Sequence, residues 1–251
     1  MKSMLYRINI KALISIFIMM SILLVCNAIA GVGTAQKLPR VVDAAITAAK
    51  ISHSEISALS KLKNLPEITK AITKYPPETR KAILLAVARE RNVISSAEAD
   101  DLYRSLGKVE GFENVVKLLC AADYANVKGA LFELRLANSA TRNGHKIIKM
   151  RNEFYGDPNK VRTDIDIFME TSRGQKVAIE CKSYSGQVMS DMVAKDADTL
   201  LYFQKENPGI KLVFSFENKP GDLTIKLLEK KGIHAFWGDT DAQMKAIELL
   251  A

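Results

Sequence analysis

Cysteine and histidine are both scarce: the 251 residues hold three of each. Cys26 lies close to the N-terminus, Cys120 and Cys181 are distant from one another, and no C-x-x-C occurs. A dense disulfide framework and a cysteine zinc site are thereby excluded. One disulfide or two free thiols remain open for Cys120 and Cys181. His53, His145 and His234 are far apart and lack metal-ligand spacing, so each reads as structural. Internal repeats and low-complexity tracts are missing, which removes solenoids and biased linkers. What is present is ordinary for a globular chain, at 48% hydrophobic and 25% charged residues, which excludes a disordered protein.

Acidic residues are absent from positions 1–35, where Lys2, Arg7 and Lys11 are the only charges. Ala12 to Ala30 is a run of 19 uncharged residues with no polar face, ending in the small-x-small pattern Ala28-Ile29-Ala30. Residues 1–35 are therefore expected to be a signal peptide or a membrane anchor. A cleaved signal leads to a periplasmic or secreted protein. An uncleaved one leaves a single N-terminal transmembrane helix through residues 12–30, with the body of the chain outside. The net charge is +8, and +5 without the first 35 residues, a mild excess that suits a polyanionic partner without demanding one.

Residues 36–124 carry helical patterns only. An Ala-rich helix is expected over Val41–Ser52, then a short one capped by Ser54 and ending at Leu62. Pro66 opens a third, to Tyr75, and Pro77 opens a fourth carrying Ile83, Leu84, Leu85 and Val87. Ser95-Ser96-Ala97-Glu98 reads as a capping box, and Phe112–Ala122 as a further amphipathic helix. Lys61, Lys63, Lys70, Lys74, Arg80, Lys81, Arg89 and Arg91 are spread through this region. They could contact phosphate, or form a solvated face.

The C-terminal half alternates strands with helices, which implies a mixed sheet covered on both faces. Two of its strands stand out, Thr163–Met169 and Val177–Lys182, joined by a polar turn containing Gly174. Residues two apart in a strand share a face. Val177, Ile179 and Cys181 then face a core together with Ile165, Ile167 and Met169. Glu180 and Lys182 face the other way, as do Asp164 and Asp166. A hairpin centred near Arg173 pairs Asp166 with Glu180. Upstream, Glu133 sits in a helix expected over Val127–Asn143, and its wheel neighbours Gly129, Ala130, Leu136 and Ala137 are small or apolar, unlike those of a solvating glutamate. Taken singly, each feature is ordinary surface or turn chemistry. Together they gather carboxylates that repel one another, a penalty that a divalent cation would remove.

An Asp, a hairpin of this length, Glu-x-Lys, and a Glu on the preceding helix together resemble the PD-(D/E)xK nuclease superfamily, which includes Holliday-junction resolvases and toxin-associated nuclease domains. The resemblance spans roughly residues 125–240. It implies a restriction-endonuclease-like α/β fold: a mixed sheet flanked by helices over residues 125–251, preceded here by the all-α accessory region 36–124. It implies a Mg²⁺- or Mn²⁺-dependent phosphodiesterase acting on nucleic acid, with a DNA endonuclease as the first expectation and RNA or exonuclease action left open. Glu133, Asp166 and Glu180 are then the metal-holding acids, with Asp164 as the alternative aspartate. Lys182 would orient or deprotonate water, or stabilise charge at phosphorus. Lys160 and Arg162, in a loop expected over Arg151–Arg162, are candidate phosphate contacts. Ser183, Tyr184 and Gln187 are weaker candidates for touching substrate. Export fits a secreted toxin-like DNase, for which an inhibitor protein is an expected partner, with the enzyme acting as a monomer or a homodimer. The rival classes are a nuclease-like module that binds nucleic acid without cutting it, and a membrane-anchored interaction protein.

Overall fold

The structure, a computed structural model, describes residues 40–154, 163–184 and 190–250. The expected targeting segment, Lys160, Arg162 and Gln187 lie outside the described residues. Among the described residues no helix is long and apolar enough to cross a membrane.

Helices come first. They are α1 (Val41–Ala48), α2 (His53–Lys61), α3 (Leu65–Ile72), α4 (Pro77–Glu90), α5 (Ser96–Leu106) and α6 (Phe112–Val116), the last continuing into one 3₁₀ turn, Lys117–Cys120. Pro77 opens α4 at a position where a backbone N–H has no helical partner to lose. The next turns of α4, Lys81 through Ala88, are buried all round, so this helix is the centre of the helical layer. Two caps differ from the sequence expectation. Ser52, not Ser54, caps α2, accepting from the Glu55 N–H while the Glu55 carboxylate returns to the Ser52 N–H. Ser95 caps α5, but Glu98 completes no box there, because its carboxylate is drawn to Arg135 at 2.8 Å.

Half of the scattered cations prove to be structural. Arg80 holds Glu113, Arg89 holds Asp43, Lys81 donates to the Gly107 carbonyl, and Arg91 donates to the carbonyls of Ser60, Leu62 and Cys120. Lys61, Lys63, Lys70 and Lys74 stay exposed. Both cysteines of the described residues are free thiols.

The remainder is α7 (Tyr124–Arg142), β1 (Lys146–Phe154), β2 (Thr163–Glu170), β3 (Lys176–Lys182), α8 (Ser190–Glu206), β4 (Lys211–Phe216), α9 (Asp222–Lys230), β5 (His234–Trp237) and α10 (Thr240–Glu248). The protein is thus mixed α/β, with ten helices and one five-stranded sheet in the order β1-β2-β3-β4-β5 among the described residues. The first three strands are an antiparallel meander, while β3, β4 and β5 are parallel, with β4 and β5 each reached through a helix. Helices α7 and α10 cover one face of the sheet, and α8 and α9 the other.

The first face shares its core with the helical layer, a single cluster running from Val42 through Leu85 and Leu134 to Ile247. Residues 40–251 accordingly form one compact unit. The edge of the sheet at β1 is covered by the turn before α6. Glu110 pairs with β1 there, and its carbonyl accepts from the Met150 N–H at 2.9 Å. Gly111 allows this approach: its φ is +85°, and a Cβ on it would lie 1.8 Å from the Met150 carbonyl oxygen.

Two strand expectations need correction. Residues 151–154 belong to β1, not to a loop, because the strand keeps pairing with β2 as far as Phe154↔Thr163. The alternation along β2 also breaks at Asp166. Ile167 and Met169 pack under α7 as expected, but Ile165 joins Phe214 and Phe216 in the core under α8. The break lies beside Arg151, which has a left-handed φ of +49° between the pairs Met150↔Ile167 and Asn152↔Ile165. The pairing register stays continuous through Arg151, and the register shift between these two strands lies between Ile147 and Lys149.

Candidate active site at the splayed end of the hairpin

The β2–β3 hairpin turns through Gly174, at φ +81°, and its register runs from Glu170↔Lys176 to Ile167↔Ile179. These pairs match the alignment expected from a centre near Arg173, but the expected pair of Asp166 with Glu180 does not form. Past Ile179 the two strands stop pairing. Asp166 fills the gap, and its Oδ2 accepts from the Cys181 N–H at 2.8 Å. This replaces a backbone acceptor by a side chain and brings the Asp166 carboxyl beside β3.

Glu180 and Lys182 lie on the same side of β3, with Lys182 Nζ 2.7 Å from Glu180 Oε1. The same ammonium is 2.7 Å from Asp196 Oδ2 on α8. Glu133 enters from α7. Asp123 caps that helix and Gly144, at φ +82°, ends it, so the helix runs uninterrupted past the sheet. Glu133 is only 1% exposed. Its partner is neither Lys128 nor Arg135, which pair with Glu217 and Glu98. Instead Arg151 of β1 grips it with Nε and Nη2, at 3.1 and 2.7 Å from Glu133 Oε2. The Arg151 guanidinium also reaches Asp164 Oδ2 at 3.4 Å and Asp166 Oδ1 at 3.6 Å. Asp164 is the more open of the two aspartates and has no such hold on β3.

The electrostatics follow from burial. Desolvation pushes the Glu133 and Glu180 carboxyls well above their ordinary range, and the Asp166 charge pushes both further; Arg151 and Lys182 pull the other way. Desolvation raises Asp166 too, against Arg151 and the Cys181 N–H. Burial alone would lower Lys182, but Glu180 and then Asp196 outweigh it, so its ammonium is held charged well above the lysine range. The Cys181 thiol is pushed far up by burial and by the surrounding carboxylates, and is no nucleophile.

Sequence reasoning gathered Glu133, Asp166, Glu180 and Lys182; in the structure Lys182 pairs with Glu180, Arg151 links Glu133 to Asp166, and the Asp166 charge acts on both Glu133 and Glu180. It missed Arg151 and Asp196. Arg151 was hidden by its assignment to a loop, and Asp196 lies between Lys195 and Asp198 on a helix whose charges look like a solvated face. Ser183 points at Glu217 with a hydrogen bond of 2.8 Å. Glu217 also holds Lys128, so the chain just beyond Lys182 is tied to the start of α7.

The donor set is all oxygen, buried and mutually repulsive, which suits a hard divalent cation. Its present arrangement is different: the protein's own cations lie between the acids. Among the described residues no three acidic, histidine or cysteine side chains converge as a metal cage. A metal fits by donor chemistry, provided that Arg151 gives up its contacts. Compared with known proteins, the chain matches no family model, and no curated protein matches it.

Proposed function

We propose that the chain is a metal-dependent nuclease of the restriction-endonuclease-like kind, hydrolysing phosphodiester bonds of nucleic acid, DNA in preference to RNA. The observation that carries this reading is the meeting of Asp166, Glu180 and Lys182 with Glu133 at the splayed end of one hairpin. The order of elements supports it: a helix bearing an acid, a three-stranded antiparallel meander, a crossover helix and further parallel strands. Helices α1–α6 serve as an accessory layer to this core.

In this reading Glu133, Asp166 and Glu180 hold Mg²⁺ or Mn²⁺. When bound, the ion supplies Lewis-acid polarisation of the phosphate and activation of water. Lys182, kept protonated by Glu180 and Asp196, stabilises negative charge gathering at phosphorus and is not the base. Asp196 positions that ammonium. Asp166 rather than Asp164 is the metal-holding aspartate, because it is buried and anchored to Cys181. Export, with a mature N-terminus near Gly31, makes the protein a secreted, toxin-like DNase; an intact Met1 in a cytosolic fraction would overturn this part.

A non-cutting nucleic-acid-binding module is the second reading, and it is favoured by the seating of Arg151 among the acids. A plasmid-nicking assay on the full chain separates the two. Nicking that requires Mg²⁺ or Mn²⁺ and vanishes in Glu180→Ala is the expected result. Equal nicking by wild type and Glu180→Ala ends the nuclease proposal.

A further inference from the structure

Arg151 is the one residue of the site whose backbone is left-handed without being glycine. Such a conformation persists only where surrounding contacts over-determine it, and it is found at functional sites. The contacts are the three acids themselves. One planar guanidinium spans Glu133 from α7 and Asp164 and Asp166 from β2, with donors between 2.7 and 3.6 Å from their oxygens. A lysine could not do this, because its single ammonium has no fork. Arg151 is not sealed in: its side chain is 29% exposed, while Glu133 behind it is 1% exposed. The guanidinium therefore lies between the buried acid and solvent.

A divalent cation entering this cluster needs the same carboxylate oxygens. We infer, resting on the nuclease reading above, that Arg151 is a positioning residue that exchanges partners: it holds Glu133 and Asp166 in register, with Asp164 beside them, and a metal that took the oxygens of Glu133 and Asp166 would release the guanidinium to a substrate phosphate. The chemistry favours the exchange. Guanidinium and metal cannot both sit among the same oxygens without like-charge repulsion, and an arginine freed at the mouth of the site matches a phosphate bidentately. Metal binding and substrate binding are thereby coupled through one side chain.

The test is calorimetric titration of Mg²⁺ into the full chain in mild detergent, without nucleic acid, for wild type, Arg151→Gln and Arg151→Lys. Removing a competing cation should tighten Mg²⁺ binding about tenfold or more in Arg151→Gln. Arg151→Lys, which keeps charge and loses the fork, should fall in between. Both metal-free variants should melt below wild type. A purely structural arginine would lower the melting temperature without tightening Mg²⁺ binding, and that result overturns the inference. If Arg151→Gln does not fold, Arg151→Lys decides by the same criterion.

The phosphate half is read by fluorescence anisotropy with a duplex oligonucleotide in Ca²⁺. The slope of log affinity against log salt should be shallower by about 0.9 in Arg151→Gln than in wild type, the release of one phosphate contact. The difference should disappear without Ca²⁺; equal slopes in Ca²⁺ overturn this half. If neither wild type nor variant binds Mg²⁺, the nuclease reading falls and the inference with it. If wild type binds Mg²⁺ as tightly as Arg151→Gln, the inference alone falls.

Discussion

At the residue scale, the site is a problem of buried charge. Three acids and two cations are packed where water is largely excluded, and each ion is tolerable only because of its neighbours. Asp166, Glu180 and Lys182 act as a unit in the proposed reaction, so Asp166→Ala, Glu180→Ala and Lys182→Ala should each reduce cleavage to background, and double variants should be no worse than single ones. Asp164→Ala should be mild, since Asp164 is open to solvent and touches only Arg151 among the site residues. Single-turnover cleavage rates check this. A severe Asp164→Ala defect beside a mild Asp166→Ala one would reverse the assignment of the two aspartates.

At the element scale, two glycines with similar backbone angles carry different weight. Gly174 turns the hairpin at φ +81° with open space where a Cβ would go. Gly174→Ala should cost only the left-handed penalty, about 1 kcal/mol. Gly111 has φ +85° and the Met150 carbonyl pressed against it. Gly111→Ala must either carry that clash or undock the turn before α6 from β1, and should cost clearly more, about 3 kcal/mol or above. Because β1 also carries Arg151, the damage should reach the site. Urea unfolding of the two variants gives the comparison, and equal losses would show that the β1 edge does not depend on that contact.

At the scale of the whole molecule, the helical layer and the sheet share a core. Helix α4 is buried on all sides, and the apolar cluster around it continues through Leu134 and Leu136 of α7 to Val213 of β4. Deleting residues 40–106 should therefore leave a remainder without a cooperative unfolding transition, with weakened near-UV dichroism, rather than a free-standing nuclease domain. The same cooperativity lets a site ligand be read from the melting temperature. Mg²⁺ at a hundred times its dissociation constant should add about 2.7 kcal/mol, or roughly 5–10 °C, by binding only the folded protein. Glu180→Ala should lose most of that gain. A melting temperature indifferent to Mg²⁺ and Mn²⁺ would move the non-cutting module ahead.

Much of this was legible in the sequence, because local rules apply wherever chemistry repeats at short range. Period 2 in β3 set the common face of Glu180 and Lys182, and the turn through Gly174 set the register of the hairpin as far as Ile167↔Ile179. Small neighbours around Glu133 marked a glutamate that packs inward. Other features depend on residues far apart in the chain, which no local pattern encodes. Asp100 of α5 accepts from the Val42 N–H at 3.0 Å and so caps α1 across 58 residues. Ile165 packs in the core under α8 although Ile167 and Met169 pack under α7. Arg151 meets Glu133 across 18 residues, and Lys182 of β3 meets Asp196 of α8. The sequence by itself determined that Glu180 and Lys182 share a face; only the tertiary structure decided where Asp164 and Asp166 lie and which counter-ions neutralise the acids, because the energy of a buried charge depends on what packing brings to it and not on its neighbours in the chain.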